Sequence, residues 1–230
     1  MDKLILSSAT IGIVISLLVY EIGLAAQRKW KLAVLNPLLI SIVLVIAFLV
    51  AFHVDYESYN SSAQYLSYLL TPATVCLAIP LYLQLELLKK NIGAILGGVL
   101  SGVLASLGSV LAMSILFGLD HQQYVTMLPK SITTAIGMGV SEELGGYVTI
   151  TVAVIIITGV LGNMSAEYIC KLFCIKSPIS IGLAIGTASH AVGTARAMEL
   201  GEVEGAMSSL AIVVCGLCTV IGASIFSYIW

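Results

Sequence analysis
Long apolar runs separated by short polar segments fill this chain. Leu4–Ala25, Leu32–Phe52, Ile92–Phe117, Tyr147–Ile169 and Gly205–Ile229 each supply the roughly 20 mainly apolar residues that a helix needs to cross a bilayer. A sixth run, Ser62–Leu88, is interrupted by Pro72 and Pro80, which remove backbone donors and kink or break a helix. Its Thr71-Pro72-Ala73-Thr74 start reads as a non-helical opening followed by a fresh helix. Two further segments, His121–Gly146 and Ser177–Glu204, are rich in Gly, Ser, Thr and charge yet carry moderately apolar stretches. Non-helical backbone survives at membrane depth only where protein buries it or water lines it. Both segments are therefore expected to be re-entrant hairpins. The expected fold is an all-α polytopic membrane protein: six transmembrane helices plus two oppositely oriented broken-helix hairpins.

Composition agrees with lipid as the main solvent. Only 10% of the residues are charged and 59% are hydrophobic, against about 25% charged in a soluble domain. No hydrophilic stretch is long enough to fold separately, so residues 1–230 are expected to form one membrane domain. Leu4–Ala25 is too long for a signal-peptide core and is expected to be retained as a helix. The net charge of −2 and the lack of a basic run speak against nucleic acid. The five cysteines include Cys215-x2-Cys218, but that pair lies in an apolar run with no companion pair, so packing is the reading.

Positive charge suggests an orientation. Arg28, Lys29 and Lys31 follow the first run, Lys89 and Lys90 the third, and Lys171 and Lys176 the fifth. All three groups are cytoplasmic, as the positive-inside rule requires, if both termini are outside and His121–Gly146 does not cross. The first hairpin would then enter from outside and the second from the cytoplasm. The two hairpins also look like copies. A shift of 60 aligns Thr134 with Thr194, Ala135 with Ala195, Met138 with Met198, Glu142 with Glu202 and Gly145 with Gly205. It continues through Val154 with Val214, Val160 with Val220 and Gly162 with Gly222. Repeat units of about 121–171 and 177–230, each a hairpin plus one span, would be inverted. Inverted repeats with broken helices meeting near the midplane build many secondary transporters.

The densest polar run is Gly186-Thr187-Ala188-Ser189-His190-Ala191-Val192-Gly193-Thr194-Ala195-Arg196. Small residues permit close backbone approach, hydroxyls bond a solute, and Arg196 offers a forked donor suited to a carboxylate. Arg196 reads equally as a hairpin-end cation paired with Glu199, Glu202 or Glu204, because an unpaired Arg at membrane depth is expensive. His190 is either a proton relay or a neutral ring bonded to a hairpin carbonyl. In the first hairpin, Lys130 either attracts an anion or snorkels to the interface, while Ser131, Thr133 and Thr134 are candidates to line its path. Gly98-x3-Gly102 suits helix packing. No enzyme motif is present, nor an acid cluster with metal spacing, and no cofactor is implied.

At these residues the chain resembles the LrgB/CidB family. The resemblance is carried by Asn36-Pro37-Leu38-Leu39-Ile40, Pro72-Ala73-Thr74-Val75 with Pro80-Leu81-Tyr82, and Leu128-Pro129-Lys130-Ser131. The Gly186–Arg196 run and Glu204-Gly205-Ala206-Met207-Ser208-Ser209-Leu210-Ala211 carry it further. The family motifs fall on Lys130, Ser131, Thr133, Thr134, Ser189, His190, Thr194 and Arg196, which the resemblance marks as substrate-binding. It implies a plasma-membrane protein with one of two roles. Some relatives are antiholin- or holin-like modulators of murein hydrolase export and autolysis, acting with a small LrgA/CidA-type partner. Others move small monocarboxylates such as pyruvate, glycolate and glycerate. Ala135 stands where relatives usually carry Pro, and Gly137 where many have Ala, so the first hairpin is expected to break less sharply. A carrier, often a homodimer in hairpin-bearing folds, is the favoured expectation. A lesion-forming assembly and an accessory subunit are the alternatives.

Overall fold
A computed structural model describes residues 10–30, 37–69, 72, 75, 76 and 78–230. The described residues are mainly helical, with no strand among them. They divide into two compact units, residues 1–76 and 77–230.

In the first unit, α1 (Ile11–Trp30) packs on α2 (Pro37–Ala51) and α3 (Tyr56–Ala63), with a 3-10 helix following at Gln64–Leu69. α1 runs past the expected end at Ala25, taking Arg28 and Lys29 into its last turn, where cations complement the helix dipole. Close approach is possible because Gly12 and Gly23 lack side chains: a Cβ on Gly23 would lie 2.8 Å from Pro37 O. Gly12 N donates to Ser62 Oγ at 2.8 Å, and Ser16 Oγ lies 2.6 Å from Tyr59 OH. Asp55 caps α3 by accepting from Glu57 N and Ser58 N.

The second unit holds α4 (Ala78–Leu83), α5 (Leu85–Lys90), α6 (Ile92–Phe117), α7 (His121–Met127), α8 (Thr134–Glu143), α9 (Val148–Leu172), α10 (Pro178–Leu200) and α11 (Glu202–Phe226). Of the expected span Ser62–Leu88, the described residues fall mostly in short helices, while Leu70, Thr71, Ala73, Thr74 and Leu77 lie outside the described residues. Likewise Leu4–Ala9 and Leu32–Asn36 of the first two expected spans lie outside them. Among the described residues, four helices are long and apolar enough to cross a membrane: α1, α6, α9 and α11. α2 is apolar but shorter, at 15 residues.

Burial on α6 follows a single stripe. On α6 the buried positions are Ile95, Val99, Val103, Leu107, Val110 and Ser114, spaced three or four apart. The opposite face exposes Leu96, Leu100 and Leu104. A helix that is apolar on its exposed side as well as its buried side is built for lipid. α11 buries small residues instead, with Ser208, Ala211, Cys215, Thr219 and Ala223 all at a spacing of four or less. α6 ends at Gly118, whose φ of 63° is left-handed. Asp120 then starts α7 with a capping box to Gln123.

The two polar segments both double back. Between α7 and α8 the chain turns after Leu128, with Thr133 extended (φ −63°, ψ 146°) before α8. The turn lies upstream of Ala135, which sits in the first turn of α8. α8 then returns against α9: Gly137 packs on Ile155, and Ser141 Oγ lies 2.7 Å from Thr151 Oγ1.

α10 is broken at His190 (φ 43°, ψ −140°). In a straight helix Ile185 and Gly193 would be about 12 Å apart along the axis. A Cβ on Gly193 would instead lie 3.0 Å from Ile185 Cγ2 and 3.3 Å from Ile185 O. Ala166, Ile185 and Ala197 form one buried cluster with Ile181 and Leu200 beside it, which requires the same reversal. The first limb, 178–189, runs parallel to α11, since Gly182 meets Met207 and Gly186 meets Ala211. The second limb, 191–200, runs antiparallel to it: Thr194 Oγ1 lies 2.7 Å from Ser208 Oγ, and Met198 packs on Gly205. That second limb is parallel to α9, through Gly159 with His190 and Glu167 with Arg196. α9 and α11 are therefore antiparallel.

Candidate functional site
The tips of the two folded-back segments converge on the middle of α9. Gly137 of the first packs against Ile155, and His190 of the second directs Nε2 to Ile155 O at 3.1 Å. A carbonyl only accepts, so that ring nitrogen carries the proton. The broken backbone at the second tip finds partners, as buried polar groups must. Asn163 Nδ2 donates to Val192 O at 2.8 Å, and Thr194 Oγ1 donates to His190 O at 2.9 Å. Glycines make room for this tip: a Cβ on Gly159 would lie 2.7 Å from His190 Cε1, and one on Gly162 would collide with Ser189 Oγ.

Between the tips lies a cavity of ≈ 960 Å³. Lys130 and Ser131 line it from the first segment, and Thr187, Ala188 and Ser189 from the second. α6 contributes Gly102, Ser106 and Ser109, and α9 contributes Thr158, Gly162 and Ser165. The polar lining is almost entirely hydroxyl. Lys130 is its one charged side chain, and among the described residues no carboxylate pairs with it. Lys130 Nζ donates to Ser131 Oγ at 3.1 Å, and Ser131 Oγ lies 3.1 Å from Ser106 Oγ. Thr187 Oγ1 is buried without a hydrogen-bond partner, which is costly for a hydroxyl. The cavity thus presents a cation with unfilled donor capacity, surrounded by groups that can donate or accept.

The sequence candidates divide by position. Lys130, Ser131 and Ser189 line the cavity. Thr133 and Thr134 open α8, where Gly137 N donates to Thr133 O at 2.8 Å. His190 and Thr194 are buried in the tip and bonded to backbone and Ser208. Arg196 lies near the far end of the second limb, half-buried and paired with Glu167 and Glu199. Glu167 went unnoticed in the sequence because it is 29 residues from Arg196 and belongs to a mainly apolar helix, where it also pairs with Lys171. The α6 wall was equally hidden. Gly98 and Gly102 do serve packing, against Leu183 and Thr187, but Ser101, Ser106 and Ser109 continue that small face as a polar lining. Their spacing of three to five residues was the available signal.

Long apolar helices, folded-back polar segments and a cavity between their tips define a multi-pass membrane protein. The comparisons give its kinship. Residues 16–229 match the LrgB-like family, and the chain belongs to it. Relatives named "Antiholin-like protein LrgB" from Bacillus mycoides (strain KBAB4), Bacillus cereus (strain B4264) and Bacillus anthracis (strain CDC 684 / NRRL 3495) are each 39% identical over 216 residues. The matches cover 94% of this chain and 94% of each relative. No solved structure matches.

Proposed function
We propose that this chain carries small carboxylates across the plasma membrane by exposing the cavity between the two tips to each side in turn. The observation that carries this reading is Lys130: a cation with no acid partner among the described residues, facing a hydroxyl-lined cavity where two broken segments meet. An assembly that merely opens lesions needs no such site. Lys130 receives the carboxylate, while Ser131, Ser189 and Thr187 bond its remaining oxygens. Thr133 and Thr134 hold the first tip, and His190, Thr194 and Arg196 hold the second.

The two hairpins act as an inverted repeat, re-entering the bilayer from opposite faces. Support comes from matching contacts 60 residues apart. Thr126 meets Thr151 in the first repeat, where Thr151 Oγ1 donates to Thr126 O, and Gly186 meets Ala211 in the second repeat. The antiparallel α9 and α11 give the inversion. With Lys89, Lys90, Lys171 and Lys176 on the cytoplasmic side, this arrangement satisfies the positive-inside rule.

The test is uptake by purified protein in liposomes across a panel of two- and three-carbon acids. Saturable uptake that is lost in Lys130→Gln supports the carrier. Absence of uptake for every acid, from folded protein, rejects it.

A second reading is favoured by the relatives' shared name: an antiholin-like modulator of murein hydrolase export and autolysis, acting with a small LrgA/CidA-type membrane partner. It predicts partner-dependent leakage of large solutes that is indifferent to Lys130. Crosslinking in native membranes distinguishes a homodimer from an assembly with such a partner.

A further inference from the structure
We infer that Tyr124 and Leu128 plug a second entrance to the cavity, on the face opposite the lysine-bearing ends, and that withdrawal of these two side chains opens it. The inference rests on the two-hairpin carrier reading and adds which way the site faces and what shuts the other way.

The cavity is lopsided. From the tips it runs along the first limb of α10 from Ser189 to Ile179, and along α6 from Ser109 back to Ala94. Both lines lead to the same end of the unit, where α6 starts beyond Lys89 and Lys90 and α10 starts beyond Lys176. In that direction the limb offers Ala184 and Ala188, one helical turn apart, both exposed and both lining the cavity.

Sixty residues earlier, the corresponding positions on the first segment are Tyr124 and Leu128. These are also one turn apart, but their exposures are 0% and 1%. The correspondence is not numerical alone, since the Thr126–Thr151 contact between them repeats as the Gly186–Ala211 contact between the alanines. Where one copy has two methyl groups lining an open path, the other has a phenol and an isobutyl group that are fully buried. Tyr124 is also fastened: its OH donates to Phe226 O on α11 at 2.9 Å. A hydroxyl knot closes the base behind it, in which Thr126 Oγ1 donates to Gln122 O and Tyr147 N donates to Thr126 Oγ1. The two copies thus differ in side-chain volume at the two places that would line the opposite vestibule.

The experiment places one cysteine, Ala188→Cys, in an otherwise cysteine-free chain. It is labelled with a membrane-impermeant thiosulfonate from each face of oriented vesicles. The expected result in the parent is labelling from the lysine-bearing face and slow labelling from the Asp120 face. Tyr124→Ala and Leu128→Ala should each raise the Asp120-face rate about tenfold or more, because truncating a fully buried side chain releases more than a tenfold population shift requires. Tyr124→Phe, which keeps the ring, should raise it less than Tyr124→Ala. Using two positions guards against one variant failing to fold. Unchanged Asp120-face rates in both alanine variants, with lysine-face labelling intact, overturn the plug and leave the carrier standing. Equal labelling from both faces in the parent also overturns the plug. Labelling from neither face overturns the cavity and the carrier reading with it.

Discussion

Replacing Lys130 with Met removes the one charge that lines the cavity while keeping most of the side chain's length. Two unit charges 4 Å apart attract by about 4 kcal/mol at an effective dielectric of about 20. Desolvation of both groups offsets part of this, and hydrogen bonds to charged groups contribute about 1.5–3 kcal/mol net. Affinity for a carboxylate should therefore fall about 10- to 150-fold. Stability should behave differently. No carboxylate among the described residues pairs with Lys130, so its loss breaks no ion pair. The solute-free variant should unfold within about 0.5 kcal/mol of the parent, or later. The assay is thermal unfolding in detergent, with and without a two-carbon hydroxy acid, paired with uptake in liposomes. Parent and variant should melt together when solute-free, and only the parent should be stabilised by the acid. Equal stabilisation of both would refute the reasoning, because the anion would then be held elsewhere.

Three further outcomes follow from the second hairpin. At His190 the backbone sits at φ 43°, where glycine is favoured. His190→Gly and His190→Ala both lose the bond to Ile155 O, but only glycine relaxes the backbone, so the Gly variant should be more stable by about 1 kcal/mol in thermal melts. Gly162→Ala drives a methyl group into Ser189 and should destabilise by about 1–3 kcal/mol while lowering solute affinity, since Ser189 must shift. Arg196 pairs with Glu167 and Glu199 at a partly exposed site. Glu167→Gln should therefore change stability by about 1 kcal/mol or less and leave solute affinity near the parent's, as read by the same melts.

The helices and the site were unequally visible in the sequence. α6 begins at Ile92 and ends at Phe117, as its apolar run indicates, because Gly118 supplies a left-handed stop. α11 starts three residues before the expected Gly205, since the extended Gly201 resets the chain direction and Glu202 already belongs to the first turn. The second fold-back was signalled by the dense Gly, Ser and Thr run. Its turning residue was not, because a histidine with positive φ is selected by what surrounds it, here Ile155 O, Gly159 and Asn163. Lys130, Ser131 and Ser189 stood out by chemical type. The rest of the cavity wall did not, since Gly102, Ser106 and Thr158 look like ordinary packing residues until two hairpins converge on them. Contacts spanning dozens of residues, such as Glu167 with Arg196, leave no local pattern to read.

The claim beneath all of this is that each polar segment enters and leaves on one face of the membrane. Single cysteines at positions 120, 143, 176 and 202 of a cysteine-free chain, labelled with an impermeant reagent from one face at a time, test it directly. Positions 120 and 143 should react together from one face, and 176 and 202 together from the other. Reaction of 120 and 143 from opposite faces, or of 176 and 202 from opposite faces, would make that segment a crossing helix and contradict the account.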